Sequence, residues 1–156
     1  AGTLRFTMVT RFGYISYGFG VPIPSQPGQS TLTHPGDMTS FSRLTFLLAS
    51  SLDLSNQKKQ VILECYPGTG SDFPKIYWNY DLQASSAFQK VSIDLWNPSH
   101  LEGNGSLTVG DLLSRTRYLY FYFYGGPETE TKTLIVHIDD ITLTGNESGI
   151  DDWSLY

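Results

Sequence analysis

Apolar and polar side chains alternate most strictly along residues 117–125, which read Arg-Tyr-Leu-Tyr-Phe-Tyr-Phe-Tyr-Gly. In an extended strand, successive side chains point to opposite faces of the sheet. Leu119, Phe121 and Phe123 then share one face, and the tyrosines that alternate with them share the other. Aromatic residues favour strands, whereas a helix of this stretch would be apolar on every side. The pattern predicts a strand with a core face and a tyrosine face.

Shorter alternating runs flank this strand. The same period of two predicts further strands at residues 4–10, 12–19, 41–50, 60–66, 75–83, 88–96 and 133–144. Glycine, proline and small polar residues separate the runs, which is typical of a loop-rich β protein. One helical turn is predicted over residues 107–114, because Thr108 can cap it and Asp111 lies three residues further on.

About eight strands with one short helical turn predict an all-β fold, a β-sandwich of the jelly-roll type with two antiparallel sheets. By strand order, residues 12–19, 60–66 and 75–83 share one sheet with the tyrosine strand. The predicted core face of that sheet carries Val61, Leu63, Leu119, Phe121 and Phe123. We expect residues 1–145 to form one domain and residues 146–156 to be a tail or linker.

Charge is low and balanced for a protein of 156 residues: the net charge is −5, and ten basic residues are spread along the chain. The only adjacent basic pair is Lys58-Lys59, which argues against nucleic acid or an anionic membrane as a partner. No apolar run approaches the roughly 18 residues of a membrane helix, and the sequence shows no signal peptide. We therefore expect a mature or excised domain.

Residues typical of catalysis do not cluster in the sequence. Because Cys65 is the single cysteine, an internal disulfide is excluded. Cys65 alternates with apolar residues and is expected to be buried and unreactive. His34, His100 and His137 lie in separate segments without metal-ligand spacing. Neither a nucleophile elbow nor a phosphate-binding loop is present. The sequence therefore favours binding over catalysis.

The tyrosine face has the chemistry of a sugar-binding surface. A pyranose ring has an apolar C–H face that stacks on aromatic rings, and a rim of hydroxyls that carboxylates and amides bind. Strand geometry places neighbouring rings about 7 Å apart along a strand and about 5 Å apart across strands, within the length of one oligosaccharide. The predicted ligands on this face are Tyr120, Tyr122, Tyr124, Tyr66 and Glu64.

The sequence does not decide which side chains of the predicted strand 75–83 face the sugar. They present either Tyr77, Asn79 and Asp81 or Trp78 and Tyr80 to the sugar, and both sets are candidates. A register shift of one residue exchanges the two sets.

The last predicted strand carries a change of phase. Val136 and Ile138 share one face, and Ile141 and Leu143 share a face that is out of phase with it by one residue. A β-bulge at residues 139–140 restores the phase and keeps both pairs in the core. We expect one of the two aspartates there to face inward, where it must be hydrogen-bonded or metal-bound.

Four segments carry a resemblance to a known family: residues 37–46, 88–95, 118–123 and 136–143, the last with its Ile-Asp-Asp-Ile ending. They resemble galactose-binding-like jelly rolls, and most closely family-eleven-type carbohydrate-binding modules and complex I assembly-factor domains. The resemblance covers roughly residues 37 to 144 and is a pattern of strand order. It implies a secreted, non-catalytic module, a monomer within a larger multidomain carbohydrate-active enzyme, that binds a β-glucan-like polysaccharide.

The resemblance also implies a structural calcium ion. Asp139 and Asp140 match the carboxyl-terminal ligands of that family. The family's opening Asp-Phe-Glu-type segment, which also contributes to calcium binding, is missing, because this sequence begins Ala-Gly-Thr-Leu-Arg.

Alternatives to a sugar-binding module remain at this point. The tyrosine row suits any half-exposed sheet, and the proline-rich residues 22–28 could cover it. The face could dock a protein partner, as in an assembly domain. The fold could also be catalytic, either with Glu64 and Asp81 as paired carboxylates for glycoside hydrolysis or as a polysaccharide lyase. The few basic residues argue against a strongly anionic polymer as ligand.

Overall fold

The computed structural model describes residues 4–11, 16–124, 131–145 and 153–154, and these ranges contain ten strands and one helix. The elements are, in chain order, β1 (Leu4–Arg11), β2 (Ser16–Pro22), β3 (Phe41–Ser50), β4 (Lys59–Cys65), β5 (Lys75–Asn79), β6 (Gln89–Asp94), β7 (His100–Glu102), α1 (Val109–Leu113), β8 (Thr116–Tyr124), β9 (Thr131–Gly145) and β10 (Trp153–Ser154).

The strands form two antiparallel sheets. One sheet has the order β1-β9-β3-β6, with β10 also paired to β9, and the other has the order β2-β8-β4-β5-β7. We call the second one the tyrosine sheet, because β8 is the predicted tyrosine strand. The all-β sandwich is confirmed, and so is the grouping of β2, β4, β5 and β8 in one sheet.

Burial follows the predicted alternation on the tyrosine sheet. Along β8, Leu119, Phe121 and Phe123 are at most 3% exposed, and Val61 and Leu63 of β4 are fully buried beside them. These residues belong to one apolar core that both sheets share. The ring of Phe121 meets that of Phe46 on β3 edge-on, with centroids 5.0 Å apart. The core therefore lies between the sheets, and the tyrosines lie on the side away from it.

Two parts of the sequence fold differently from the prediction. β5 ends at Asn79 rather than at residue 83, so its ladder with β4 is only five residue pairs long. Residues 100–102 lie outside the predicted strands, but they form β7 and pair with the start of β5. The polar run His-Leu-Glu offers only one apolar side chain, Leu101, too few for period-two alternation to be recognised.

The predicted helical turn is confirmed as α1. Thr108 is its N-cap: its hydroxyl accepts a hydrogen bond from the Asp111 N–H, and the Asp111 carboxylate accepts one from the Thr108 N–H. This reciprocal capping box satisfies two amide groups that the first turn leaves unpaired. The pKa of Asp111 lies below its usual range because the N–H and the hydroxyl of Thr108 both donate to its carboxylate.

The bulge on β9 is confirmed, but neither aspartate faces inward. Thr45 of β3 pairs with Thr142 and Leu47 pairs with Asp139, so two residues of β9 lie opposite one residue of β3. Asp140 takes a left-handed backbone conformation with φ of 52°, and it is exposed while Asp139 is half-buried. Because Asp140 is the extra residue, both side chains stay outside while Ile138 and Ile141 enter the core.

Residues 153–154 form β10, which belongs to the sheet that contains β9. Trp153 pairs with Leu143 and Ser154 pairs with Thr142 of β9. The predicted start of a strand at residue 12 lies outside the described residues, and the division at residue 145 stays a prediction. In the part of the chain that the structure describes, no helix has the length and apolar character to cross a membrane.

Candidate functional site

The outer face of β8 presents four half-buried tyrosine rings. They form two tilted pairs: the ring centroids of Tyr118 and Tyr120 are 6.0 Å apart, and those of Tyr122 and Tyr124 are 5.4 Å apart. Their position follows from the period of two, since the residues between them fill the core. The rings keep part of their surface in solvent, and none of the proline-rich residues 22–28 lines the groove beside Tyr120, Tyr122 and Tyr124.

Neighbouring strands complete a groove beside these rings. The register sets Gln60, Ile62 and Glu64 of β4 opposite Tyr122, Tyr120 and Tyr118. Beyond β4, the same face carries Lys75, Tyr77 and Asn79 of β5, and then His100 and Glu102 of β7. The groove has a volume of about 330 Å³ and is lined by Ile62, Glu64, Lys75, Tyr77, Tyr120, Tyr122 and Tyr124.

A chain of hydrogen bonds crosses the sheet at one end of the groove. The Tyr124 hydroxyl donates to Gln60 Oε1 at 2.8 Å, and Gln60 Nε2 donates to Asn79 Oδ1 at 2.7 Å. Gln60 is only 1% exposed, so its amide depends on these partners. The chain ends at the exposed Asn79, whose amide nitrogen is a donor at the rim of the groove.

Tyr77 forms the wall of the groove opposite β8. Its hydroxyl donates to Glu102 Oε2 at 2.9 Å, and its ring stacks in parallel on the His100 imidazole with centroids 4.1 Å apart. Lys75 Nζ lies 3.7 Å from Glu102 Oε1. Burial and the Glu102 carboxylate raise the pKa of the Tyr77 hydroxyl well above its usual value. The hydroxyl therefore stays protonated at any physiological pH, and the ring is fixed from two sides.

An ion pair lies at the start of β8. Cys65 pairs with Thr116 and Glu64 with Tyr118, so Arg117 is an extra residue in β8 and points outward. The Arg117 guanidinium donates to Glu64 Oε1 and stacks over the Phe73 ring, 4.0 Å from its centroid. Because Glu64 is 8% exposed, this pairing compensates a nearly buried carboxylate.

The structure brings five of the predicted site residues together in the groove: Tyr120, Tyr122, Tyr124, Glu64 and Tyr77. Asn79 lies at the rim on the same face. Tyr66 follows the last residue of β4, where its hydroxyl is 3.2 Å from Thr31 Oγ1 and its ring meets Phe73 edge-on. Asp81 is exposed beyond the end of β5 and does not line the groove.

The candidate Trp78 is wrong as a surface ligand. β5 pairs Tyr77 with Ile62 and Trp78 with Val61, so Trp78 points into the core and is 2% exposed. Its Nε1 has no hydrogen-bond partner among the described residues. The alternative left open by the sequence is therefore decided for Tyr77 and Asn79.

Two residues that line the groove, Ile62 and Lys75, were not among the predicted ligands. The same holds for three residues on the same face of the sheet: Gln60, His100 and Glu102. Alternation with Val61 and Leu63 was the signal for Gln60 and Ile62, because it puts them on the tyrosine face. His100 had no such signal, since its strand has three residues.

The described residues give little support to the predicted calcium site at Asp139 and Asp140. Asp139 Oδ1 accepts a hydrogen bond from the Asp140 N–H at 2.8 Å. Calcium takes six to eight oxygen ligands. Among the described residues no group of three histidine, cysteine, aspartate or glutamate side chains comes together that could hold a metal ion. Calcium binding at these aspartates stays a prediction, which a melting curve with and without chelator measures.

No family model matches the sequence, and no curated protein matches it. Two solved structures share the fold. The family 11 carbohydrate-binding module from Clostridium thermocellum, in complex with a β-1,3-1,4-mixed-linked tetrasaccharide, has a TM-score of 0.53 and 16% identity, over 93% of this chain and 85% of that chain. The family 11 module of a cellulosomal cellulase from the same organism has a TM-score of 0.54 and 16% identity, over 96% and 87%. The chain therefore has the jelly-roll fold of these modules.

Proposed function

We propose that this domain is a non-catalytic carbohydrate-binding module that holds a β-glucan-like polysaccharide in the groove of the tyrosine sheet. One observation carries the proposal: Tyr120, Tyr122 and Tyr124 of β8 face Tyr77 across an open groove of about 330 Å³. The half-buried rings of β8 offer stacking surfaces for the C–H faces of a sugar chain, and the Tyr77 ring, which is 9% exposed, bounds the groove on the other side.

Polar groups at the groove suit the hydroxyl rim of a sugar. Asn79 supplies an amide donor at the end of the Tyr124–Gln60 chain. Glu64 and Lys75 supply an acceptor and a donor within the lining. Several of these side chains are already fixed by neighbours, which lowers the entropy lost on binding.

The charges around the groove favour a neutral polymer. Glu64 is paired with Arg117, and Glu102 lies next to Lys75, so two carboxylates meet two cations. The exposed Lys58 lies with its Nζ 5.0 Å from the centroid of the Tyr124 ring. With Lys58, the face carries three cations against two carboxylates, and a surplus of one is small for binding a strongly anionic polymer.

The partners of the two carboxylates, Glu64 and Glu102, also support a non-catalytic role. Hydrolysis of a glycosidic bond uses two carboxyl groups that flank the bond, one acting as acid and the other as base or nucleophile. Glu64 forms an ion pair with Arg117, and Glu102 accepts a hydrogen bond from the Tyr77 hydroxyl. Asp81, the predicted partner of Glu64, lies outside the groove lining.

The two structurally similar modules support two further parts of the proposal, the ligand class and the accessory role. The structurally similar module in complex with a mixed-linked glucan oligosaccharide supports a β-glucan as the ligand class. The module of a cellulosomal cellulase supports an accessory role, as a monomeric domain of a larger secreted carbohydrate-active enzyme.

Affinity electrophoresis tests the function directly. The domain is run in native gels that contain soluble glucans, mannans, galactans or uronans, beside a protein without sugar affinity as migration reference. We expect retardation by neutral β-linked glucans and none by uronans. No retardation by any polymer contradicts the proposal and favours the face as a docking site for a protein. Release of reducing ends or unsaturated products contradicts the non-catalytic role.

A further inference from the structure

A glycine lies directly beneath one of the groove's tyrosine rings. Gly20 of the edge strand β2 is paired with Tyr120 of β8. A methyl group on the Gly20 Cα would lie 2.5 Å from Tyr120 Cε1, 2.8 Å from Cδ1 and 3.1 Å from Cζ. Real Cβ atoms essentially never come within 3.0 Å of another heavy atom, so the ring occupies the space that a side chain would need.

Backbone conformation does not explain this glycine. Its φ lies outside the positive range that L residues rarely adopt, in contrast to Gly28, with φ of 76°. Glycine in a strand carries an entropic cost and packs no side chain. The absence of a side chain at Gly20 leaves room for the ring of Tyr120 on the neighbouring strand. The tyrosine ring in turn packs beside a glycine on an edge strand, a pairing that also stabilises sheets.

We propose that Gly20 is a positioning residue of the sugar groove, because its missing side chain lets the Tyr120 ring lie across β2. Any side chain at position 20 moves the ring off the strand and towards the groove, which alters the stacking surface and narrows the space beside Ile62. Gly20 touches no sugar in this role and acts only through Tyr120. The inference rests on the proposed function, since it assigns a positioning residue to the same groove.

The test is a double-mutant cycle in polymer affinity with Gly20→Ala and Tyr120→Ala. We expect Gly20→Ala to weaken binding of the polymer that retards the wild-type domain about tenfold, comparable to one lost stacking contact. We expect it to have no further effect in the Tyr120→Ala background, because the two changes act through one ring. Gly110→Ala is the matched control: its methyl group would lie 3.3 Å from the Trp96 ring, and Gly110 is on α1, outside the groove lining.

Ring position is measured separately in the free protein. The wild-type domain should show a nuclear Overhauser effect between the Gly20 α protons and the Tyr120 ring protons, and Gly20→Ala should change the Tyr120 ring shifts. If Gly20→Ala does not fold, the double variant Gly20→Ala/Tyr120→Ala should recover folding, because the clash is gone.

Three results overturn the proposal. One is wild-type affinity in Gly20→Ala, and another is an equal loss of affinity with and without the Tyr120 ring. Both leave the sugar-binding function standing, since the wild-type domain still binds. The third is a wild-type domain that binds no polymer, which overturns the function itself. In that case the ring contact, if seen, belongs to the stability of the sheet alone.

Discussion

The two faces of the tyrosine sheet are both aromatic, and they differ in where their polar atoms are. On the inner face of β8, Leu119, Phe121 and Phe123 carry no polar side-chain atoms and are nearly or fully buried. On the outer face, each tyrosine ring carries a hydroxyl, and the hydroxyls of Tyr77 and Tyr124 are held by Glu102 and Gln60. One strand thus serves two purposes: the apolar rings hold the sandwich together, and the tyrosines tolerate a wet surface.

The largest expected effect comes from emptying the inner face. Phe121→Ala removes a fully buried ring that packs edge-on against Phe46. We expect a loss of about 3–5 kcal/mol in the free energy of unfolding, from lost burial and the cavity left behind. Urea denaturation measures it. Phe88→Ala, at a side chain that is 50% exposed, is the matched control and should change stability far less. Similar losses in the two variants would contradict the assignment of the core.

The next effect comes from breaking the ion pair on the outer face. Arg117→Met leaves the nearly buried Glu64 carboxylate without its cation. We expect a loss of about 1–3 kcal/mol, less than for a fully buried pair because part of the Arg117 side chain is exposed.

The double variant Arg117→Met/Glu64→Gln is the control for this pair. It should recover part of the stability that Arg117→Met loses, because no buried charge remains. A single variant as stable as the wild type, in urea denaturation at neutral pH, would show that the ion pair contributes nothing.

Sequence periodicity determined the faces but not the partners across strands. It placed Leu119 and Phe121 inside and Tyr120 outside, because a strand alternates with period two whatever its neighbours are. It left Tyr77 and Trp78 open, since both are aromatic and suit either face. The pairing of Gly20 with Tyr120 depends on registers between strands 100 residues apart, about which local propensity carries no information.

Removing a ring from the outer face should separate binding from stability. Tyr122→Ala takes one half-buried ring out of the groove lining. We expect polymer binding to weaken by about 1–3 kcal/mol, as for stacked rings at nucleic-acid sites, while the melting temperature changes little. Tyr122→Phe keeps the ring and should keep most of the affinity. Calorimetric titration measures the first quantity and thermal melting the second. A sharp fall in melting temperature with unchanged affinity would make Tyr122 a structural residue.

The smallest effect tests whether a single hydroxyl on the outer face matters. Tyr124→Phe keeps the ring but removes the donor to Gln60 Oε1, and Gln60 is 1% exposed. A buried acceptor without its donor costs about 1 kcal/mol, so we expect a loss of stability near that value in urea denaturation. Affinity should fall less than in Tyr122→Ala, because the stacking surface remains. Phe123 on the inner face has no such hydroxyl, and Phe123→Tyr should destabilise the core by placing an unpaired one there. A loss of stability in both variants, one from removing an oxygen and the other from adding one to the adjacent residue, would establish that the faces differ by their hydroxyls. A neutral Tyr124→Phe would show that water replaces the tyrosine as the donor to Gln60.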